Sequence, residues 1–353
     1  MVTGVKRTLD PSARVSLMAA RPIALLVLAA FAFTACLPEA PPGTGNNEPF
    51  TDTGNGGGGG GEDGGEGGED AADPNNDPLP AGERVSVATL NVQFLFDTRC
   101  DSGQCDADDF EQVPSELALD SKLTRLRRAL GEMDADVIML QEIETEELFE
   151  DATSELDGYP TRVFGETGGS ASLDVAIVGR YPIIKVERHR DERIPLGAGT
   201  TTFARELLEV HMQGPGGRRV VAMCAHFISQ RSDNDARREA EGEAAAKLAV
   251  AAYQANSNAL VVLAGDLNDD DESGTLRNMY DEGMESANRG MSTDDYYTFV
   301  FQGERSALDH ILYVPSPSVA LDPASVTSLH DPGRAGFGGS DHGAGRAEFI
   351  LVD

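Results

Sequence analysis

The chain has 353 residues, 60 acidic and 28 basic side chains, a formal charge of −32, 39 glycines, 18 prolines and no tryptophan. Such a length holds one or two domains with a large core, which excludes a peptide or a wholly disordered chain, and four cysteines are too few for a disulfide-built scaffold. The excess of acid excludes attraction to nucleic acid through bulk counterion release, which requires a basic surface.

Residues 1–36 read as an export signal. Lys6, Arg7, Arg14 and Arg21 precede an apolar run from Pro22 to Ala35, which is shorter than the ~20 residues that a membrane-spanning helix needs. Its end, Phe33-Thr34-Ala35-Cys36, resembles a bacterial lipobox apart from Phe33, where leucine is usual. That resemblance implies cleavage before Cys36, lipidation of its thiol, and a lipoprotein of the cell envelope, held at the outer membrane or cell surface. An ordinary secretory signal with an incidental cysteine is the alternative. Translation from Met18 would keep Arg21 and the whole apolar run.

Residues 37–82 consist largely of Pro, Gly, Asn, Asp and Glu, with Gly56 to Gly61 unbroken and no basic residue. This segment has too little apolar surface to offset its ordering entropy, and its acids repel one another, so the expectation is a disordered linker. No regular period supports a calcium-binding repeat. Charge divides accordingly: the chain after residue 36 carries −35, of which −10 falls on the linker and −25 on residues 83–353.

From residue 83 the composition becomes globular. Val85 to Asn91 alternates like a strand, 121–133 places Leu123, Leu126, Leu130 and Met133 on one helical face, and Asp136 to Leu140 is a short buried run. Further strands are expected at 173–179, 204–211, 218–226, 259–264, 308–313 and 346–351, with one long helix over about 233–254 begun by Ser232 or Asp233. Many strands with a few interleaved helices point to an α/β sandwich of two packed sheets flanked by helices.

Six of the apolar runs end in polar clusters for which a core has no use: Leu90-Asn91-Val92-Gln93, Leu140-Gln141-Glu142, Ala225-His226, Gly265-Asp266-Leu267-Asn268, Leu308-Asp309-His310 and Ser340-Asp341-His342. Any one of them reads equally well as a turn cap. Together they read as a site built from the ends of rigid strands.

In this order the clusters resemble the motifs of the endonuclease/exonuclease/phosphatase superfamily, typified by deoxyribonuclease I, across residues 84–353. Gly343-Ala344 departs from the proline that many relatives have there. The resemblance implies a four-layer α/β sandwich and hydrolysis of phosphodiesters with Mg²⁺, Mn²⁺ and Ca²⁺ being alternatives. Glu142, with Asn91 and Asp341, is the expected metal-ligand set, since hard cations take carboxylate and amide oxygens. His342, oriented by Asp309, is assigned to the water or the transition-state phosphate, Asp266 to the attacking water, Asn268 to the scissile phosphate, and His226, as imidazolium, to stabilising developing charge or protonating the leaving group. Histidine at 226, where abasic-site nucleases carry a tyrosine-centred motif, argues against abasic repair. His189, His211, His310 and His330 match no motif.

Arg205, Arg237 and Arg238 are candidate phosphate contacts, a solvated helix face being the alternative for the last two. Cys100 and Cys105 are close enough for a local disulfide, and Cys224 reads as a buried apolar residue. The expected partners are a nucleic acid or other phosphodiester substrate and, through Cys36, a membrane. No protein partner is inferred and a monomer is expected. The sequence leads to a nuclease on DNA or RNA, with a phosphatase or phosphodiesterase for small or lipid head-group substrates, or an inactive binding module, as alternatives.

Overall fold

The computed structural model describes residues 79–352 apart from Ala107 and Ser232. The expected export signal, Cys36 and the expected linker up to residue 78 lie outside the described residues, as does Ser232. In chain order the first half forms β1 (Gly82–Leu95), α1 (Glu116–Met133), β2 (Val137–Ile143), α2 (Glu146–Thr153), β3 (Thr161–Gly165), β4 (Asp174–Gly179), β5 (Ile183–Arg188), β6 (Ile194–Leu196) and β7 (Gly199–Thr201). The rest forms β8 (Leu208–Gln213), β9 (Arg219–His226), α3 (Asp235–Ala255), β10 (Leu260–Asp266), α4 (Gly274–Asp281) and β11 (Glu285–Ser286). It ends with β12 (Phe299–Phe301), β13 (Glu304–Ser306), β14 (Asp309–Tyr313), β15 (Val319–Leu329) and β16 (Ala344–Val352).

Two six-stranded mixed sheets, ordered β15-β16-β1-β2-β4-β3 and β11-β14-β10-β9-β8-β5, make the body of the fold. Strand alternation gives each sheet two apolar faces. Val85 and Val87 of β1 join Val137, Met139, Val262 and Ile311 in the core between the sheets, while Leu90, Ile138 and Leu140 pack under Leu126 and Leu130 of α1 and Phe149 of α2. Ala245, Ala249 and Met279 of α3 and α4 cover Val221, Met223, Val261 and Leu263 on the outer face of the second sheet. The result is the expected four-layer sandwich.

Local chemistry explains where elements depart from expectation. The strand expected at 204–211 begins at Leu208, because residues 204–207 serve as a brace: Glu206 accepts the backbone N–H groups of His189 and Arg190, and the Ala204 N–H goes to Glu241. The long helix is capped by Asn234 rather than by Ser232 or Asp233; its carbonyl accepts the N–H groups of Arg237 and Arg238. The eight-residue helices α2 and α4 are too short to show a sequence period, and each is set by a hydroxyl cap, Thr145 Oγ1 accepting from Leu148 N and Ser273 Oγ from Leu276 N.

Gly265 is required by close packing. A Cβ there would lie 1.8 Å from the Ala225 carbonyl oxygen of the parallel neighbour β9, and its φ is +150°. Gly265→Ala is therefore expected to destabilise the fold by at least about 2 kcal/mol, read as a lowered urea midpoint; an unchanged midpoint would contradict this packing.

Candidate active site

The period of two that builds the inter-sheet core also aims the polar strand ends. Val85 and Val87 lead in steps of two to Asn91, Val220, Ala222 and Cys224 to His226, Leu260, Val262 and Ala264 to Asp266, and Tyr313 and Ile311 back to Asp309. All four therefore face the space between the sheets at the same end of the sandwich. Register aligns three of them: Asp266 of β10 is paired with His226 of β9 on one side and with Asp309 of β14 on the other.

Asn91 and Asp266 meet across the sheets, Asn91 Nδ2 donating to Asp266 Oδ2 at 3.0 Å. The other carboxylate oxygen of Asp266 accepts the Asn268 N–H at 2.9 Å. Asp266 is buried, and burial together with nearby Asp309 pushes its carboxyl above the usual range. His226 Nε2 lies 3.6 Å from Asp266 Oδ2 and 3.9 Å from Glu142 Oε1.

Glu142 breaks the parity of its own strand. Met139 and Gln141 point towards the second sheet, so Glu142 on a regular strand would point to the helices. A left-handed φ of 68° at Glu142 and a register shift between Gln141 and Ile143 against β4 turn it into the cavity instead. Gln93 and Phe94, also left-handed (φ 55° and 46°), complete the arrangement. The Gln93 N–H donates to Asn91 Oδ1 at 2.9 Å and the Phe94 N–H to Glu142 Oε2 at 2.8 Å. Such conformations cost on the order of 1–3 kcal/mol each and persist only where surrounding contacts enforce them.

Lys122 of α1 supplies that enforcement. Its ammonium donates to the carbonyls of Gln93 and Phe94, and burial lowers its pKa to about 8 against the opposing pull of Glu142 and Asp341. Sequence reasoning missed this residue, whose only signal was rarity, as one of four lysines in the chain.

On the opposite wall His342 Nδ1 is 2.7 Å from Asp309 Oδ2. Ser340 fixes the loop by donating through Oγ to the Asn91 carbonyl at 2.6 Å and accepting the His342 N–H at 3.0 Å. Thr298 Oγ1 accepts the Asp309 N–H, Tyr296 donates to the Asp309 carbonyl, and Phe299 packs 4.9 Å from the His342 ring. Burial opposes charge on His342, but the Asp309 carboxylate outweighs it and, with Asp266 and Asp341, raises the imidazole to about 10. His226 moves the other way: burial, then Arg205 and His342, hold it well below the ordinary histidine value. In the free site these shifts favour charge on His342 and the neutral ring on His226.

These groups border a cavity of about 400 Å³ whose wall includes Glu142, Arg205, His226, Asp266, Asn268, Asp341 and His342. Asn91 and Asp309 are buried behind that wall. Glu142 and the exposed Asp341 thus bring carboxylate oxygens to the cavity, with the Asn91 amide oxygen behind them, and this hard-oxygen set fits a cation of the Mg²⁺ or Ca²⁺ kind better than a soft metal. Asn268 gives one amide proton to the Phe227 carbonyl at 3.1 Å and retains the other.

The remaining sequence candidates are placed as follows. Arg205 borders the cavity and donates to the Phe227 carbonyl at 3.2 Å. Arg237 and Arg238 do not border it, and Arg238 is no solvated face either: it is buried and held by Asp235 and Asp269, while Arg237 is held by Glu241 and the Thr202 carbonyl. Cys100 and Cys105 form a disulfide, and Cys224 is a buried free thiol. His189 and His211 share Glu209, His310 is bonded to the Asp269 carbonyl, and His330 to the Ala335 carbonyl.

The family model described as endonuclease/exonuclease/phosphatase family matches residues 88–342. Solved structures of similar fold include the human Nocturnin catalytic domain with bound sulfate (16% identity, 78% of this chain and 97% of that one, TM-score 0.55). Another is Danio rerio TDP2 complexed with single-strand DNA product (18% identity, 76% and 99%, TM-score 0.54). A third is an endonuclease/exonuclease/phosphatase from Bacteroides vulgatus (17% identity, 76% and 99%, TM-score 0.53). No curated protein matches by sequence.

The Asp309–His342 pair carries a pH dependence. A histidine pKa raised from 6.5 to about 10 on folding contributes stability that is complete below pH 6.5 and lost as pH rises through about 10. In chelator-treated protein, urea titrations should show the wild type's advantage over Asp309→Asn largest near pH 6 and shrinking towards pH 10. A gap independent of pH would contradict the pair.

Proposed function

The chain belongs to the endonuclease/exonuclease/phosphatase family, and we propose that within it this protein is an Mg²⁺-dependent phosphodiesterase, a nuclease acting on DNA or RNA, exported and tethered through lipidated Cys36. The observation that carries the catalytic reading is the cavity in which Asp266, Glu142, His226 and His342 converge with Arg205. Hydrolysis of a phosphodiester requires an oriented water, a place for its proton and compensation for charge on the phosphoryl oxygens; this set of side chains offers each.

Asp266 is the base. Its carboxyl is raised by burial, and hydrogen bonds from Asn91 and Asn268 fix its two oxygens while leaving lone pairs for a water. Attack by that water transfers its proton to Asp266 as the bond from phosphorus to the leaving oxygen breaks, and the leaving oxygen takes up a proton from solvent water. The His342 imidazolium, held by Asp309, and the Arg205 guanidinium offset charge on the phosphoryl oxygens, and the free amide proton of Asn268 orients the phosphate. Neutral His226 is a hydrogen-bonding partner for water or phosphate. Glu142 and Asp341, with the amide oxygen of Asn91, would hold the divalent cation, which when bound supplies Lewis-acid charge neutralisation at the phosphate.

The charge of −25 on residues 83–353 makes local groups, rather than a basic surface, responsible for binding a polyanion. It equally suits small or head-group phosphate esters, the competing reading. Full-length protein incubated with plasmid, RNA, sphingomyelin and inositol phosphates, with and without chelator, separates the two. Cleavage of nucleic acid that chelator abolishes, and that Glu142→Gln lowers by at least ~100-fold, is expected; turnover confined to the lipid or inositol substrates would refute the nuclease assignment.

Envelope tethering rests on Phe33-Thr34-Ala35-Cys36 following the apolar run. In a bacterial host fed radiolabelled fatty acid, the wild type should carry label in the membrane fraction, and Cys36→Ser should carry none. Equal labelling of both would refute lipidation at Cys36.

A further inference from the structure

Exposed aromatic rings are concentrated at the catalytic cavity. Among the described residues eight large apolar side chains are exposed, and the only two aromatics of the eight, Phe110 at 53% and Phe301 at 64%, both border it. Apolar surface left in water is unfavourable by roughly 25 cal/mol per Å², so two such rings beside one cavity call for a ligand that covers them.

Each ring stands on a supported segment. Phe110 makes edge contacts with Phe94 and Phe96, at centroid distances of 6.1 and 5.8 Å. Its neighbour Glu111 accepts the N–H groups of Asp101 and Ser102 at 2.7 Å, within the loop closed by the Cys100–Cys105 disulfide. Phe301 belongs to the β12–β13 hairpin, whose Phe299 packs on His342. A second hollow of about 340 Å³ shares Phe94, Phe110 and Arg231 with the first, and the Arg231 guanidinium lies 5.9 Å from the Phe94 ring. The ring of Phe110 and the Arg231 guanidinium thus border both hollows.

We propose that Phe110 and Phe301 are stacking stations for unpaired bases, so that the enzyme selects single-stranded over duplex polynucleotide. The inference rests on the nuclease reading above and adds to it the form of the substrate. Duplex hides the faces of its bases and brings two phosphate strands towards an acidic domain that includes Asp108 and Asp109 beside Phe110. A single strand exposes base faces, and stacking on an aromatic ring is open to every base because each has a π-face. Arg231 supplies a local charge for a phosphate flanking the stacked base. The same acidic surroundings argue against the rings as a membrane-inserting patch, since anionic lipid would be repelled.

The test uses the full chain with Mg²⁺ and one labelled oligonucleotide sequence, presented single-stranded and as duplex. Wild type is expected to show a kcat/KM at least ~10-fold higher on the single strand. Phe110→Ala and Phe301→Ala should each raise KM for the single strand by roughly 5- to 150-fold, with the loss in KM rather than kcat, and Phe110→Trp and Phe301→Trp should restore it. Equal turnover of both forms, or alanine variants with unchanged KM, would overturn the stacking stations and leave the nuclease reading standing. Cleavage of neither form overturns both. Alanine variants that lose binding to phosphatidylcholine vesicles while keeping their KM for the oligonucleotide would identify the rings as a membrane patch and overturn the inference.

Discussion

The packing of the two sheets against each other is the constraint on which the site depends. Each contributing strand sends alternate side chains into one apolar layer, and the row ends in Asn91, His226, Asp266 or Asp309 where that layer reaches the end of the sandwich. Four polar groups in such a place are costly unless they satisfy one another. The hydrogen bond from Asn91 to Asp266, between residues 175 apart in sequence, meets this requirement for two of them and ties the first sheet to the second, while Asp309 is paired with His342. Asp266 paired between His226 and Asp309 follows from strand register alone.

Regular strands do not suffice, however. Glu142 reaches the cavity only because its backbone adopts a left-handed conformation, and Gln93 and Phe94 must do the same for their N–H groups to hold Asn91 and Glu142. The strain is localised where carboxylate and amide oxygens converge, and the Lys122 ammonium under the carbonyls of residues 93 and 94 offsets it. The electrostatics are similarly divided. Asp309 makes one histidine a persistent cation, whereas burial beside Arg205 keeps the other neutral. The two imidazoles therefore have different tasks, although nothing in their sequence neighbourhoods distinguishes them in this respect.

Much of this was legible in the sequence because apolar runs that stop at polar clusters record both strand direction and strand end. Gly265-Asp266-Leu267-Asn268 and Ser340-Asp341-His342 could be read in that way, and so could the two-sheet sandwich. What could not be read depends on contacts distant in sequence or on backbone conformation. Lys122 lies on a helix 20 residues before Glu142 and gave no pattern. Phe110 and Phe301 carry no sequence signal, since exposure is a property of the folded surface. Arg237 and Arg238 followed His226 in sequence and suggested phosphate contacts, but helix α3 directs them to Glu241, Asp235 and Asp269. The lowered pKa of His226 depends first on burial and then on Arg205, which approaches from before β8, and on His342.

Asp266, at the meeting point of the two sheets, is proposed as the base that receives the proton of the attacking water. Single-turnover cleavage of a labelled oligonucleotide by Asp266→Asn, with folding verified by its urea midpoint, tests this most directly. The expected result is a rate on the order of 10²- to 10⁴-fold below wild type with the fold retained. A variant that is folded and cleaves at the wild-type rate would contradict it.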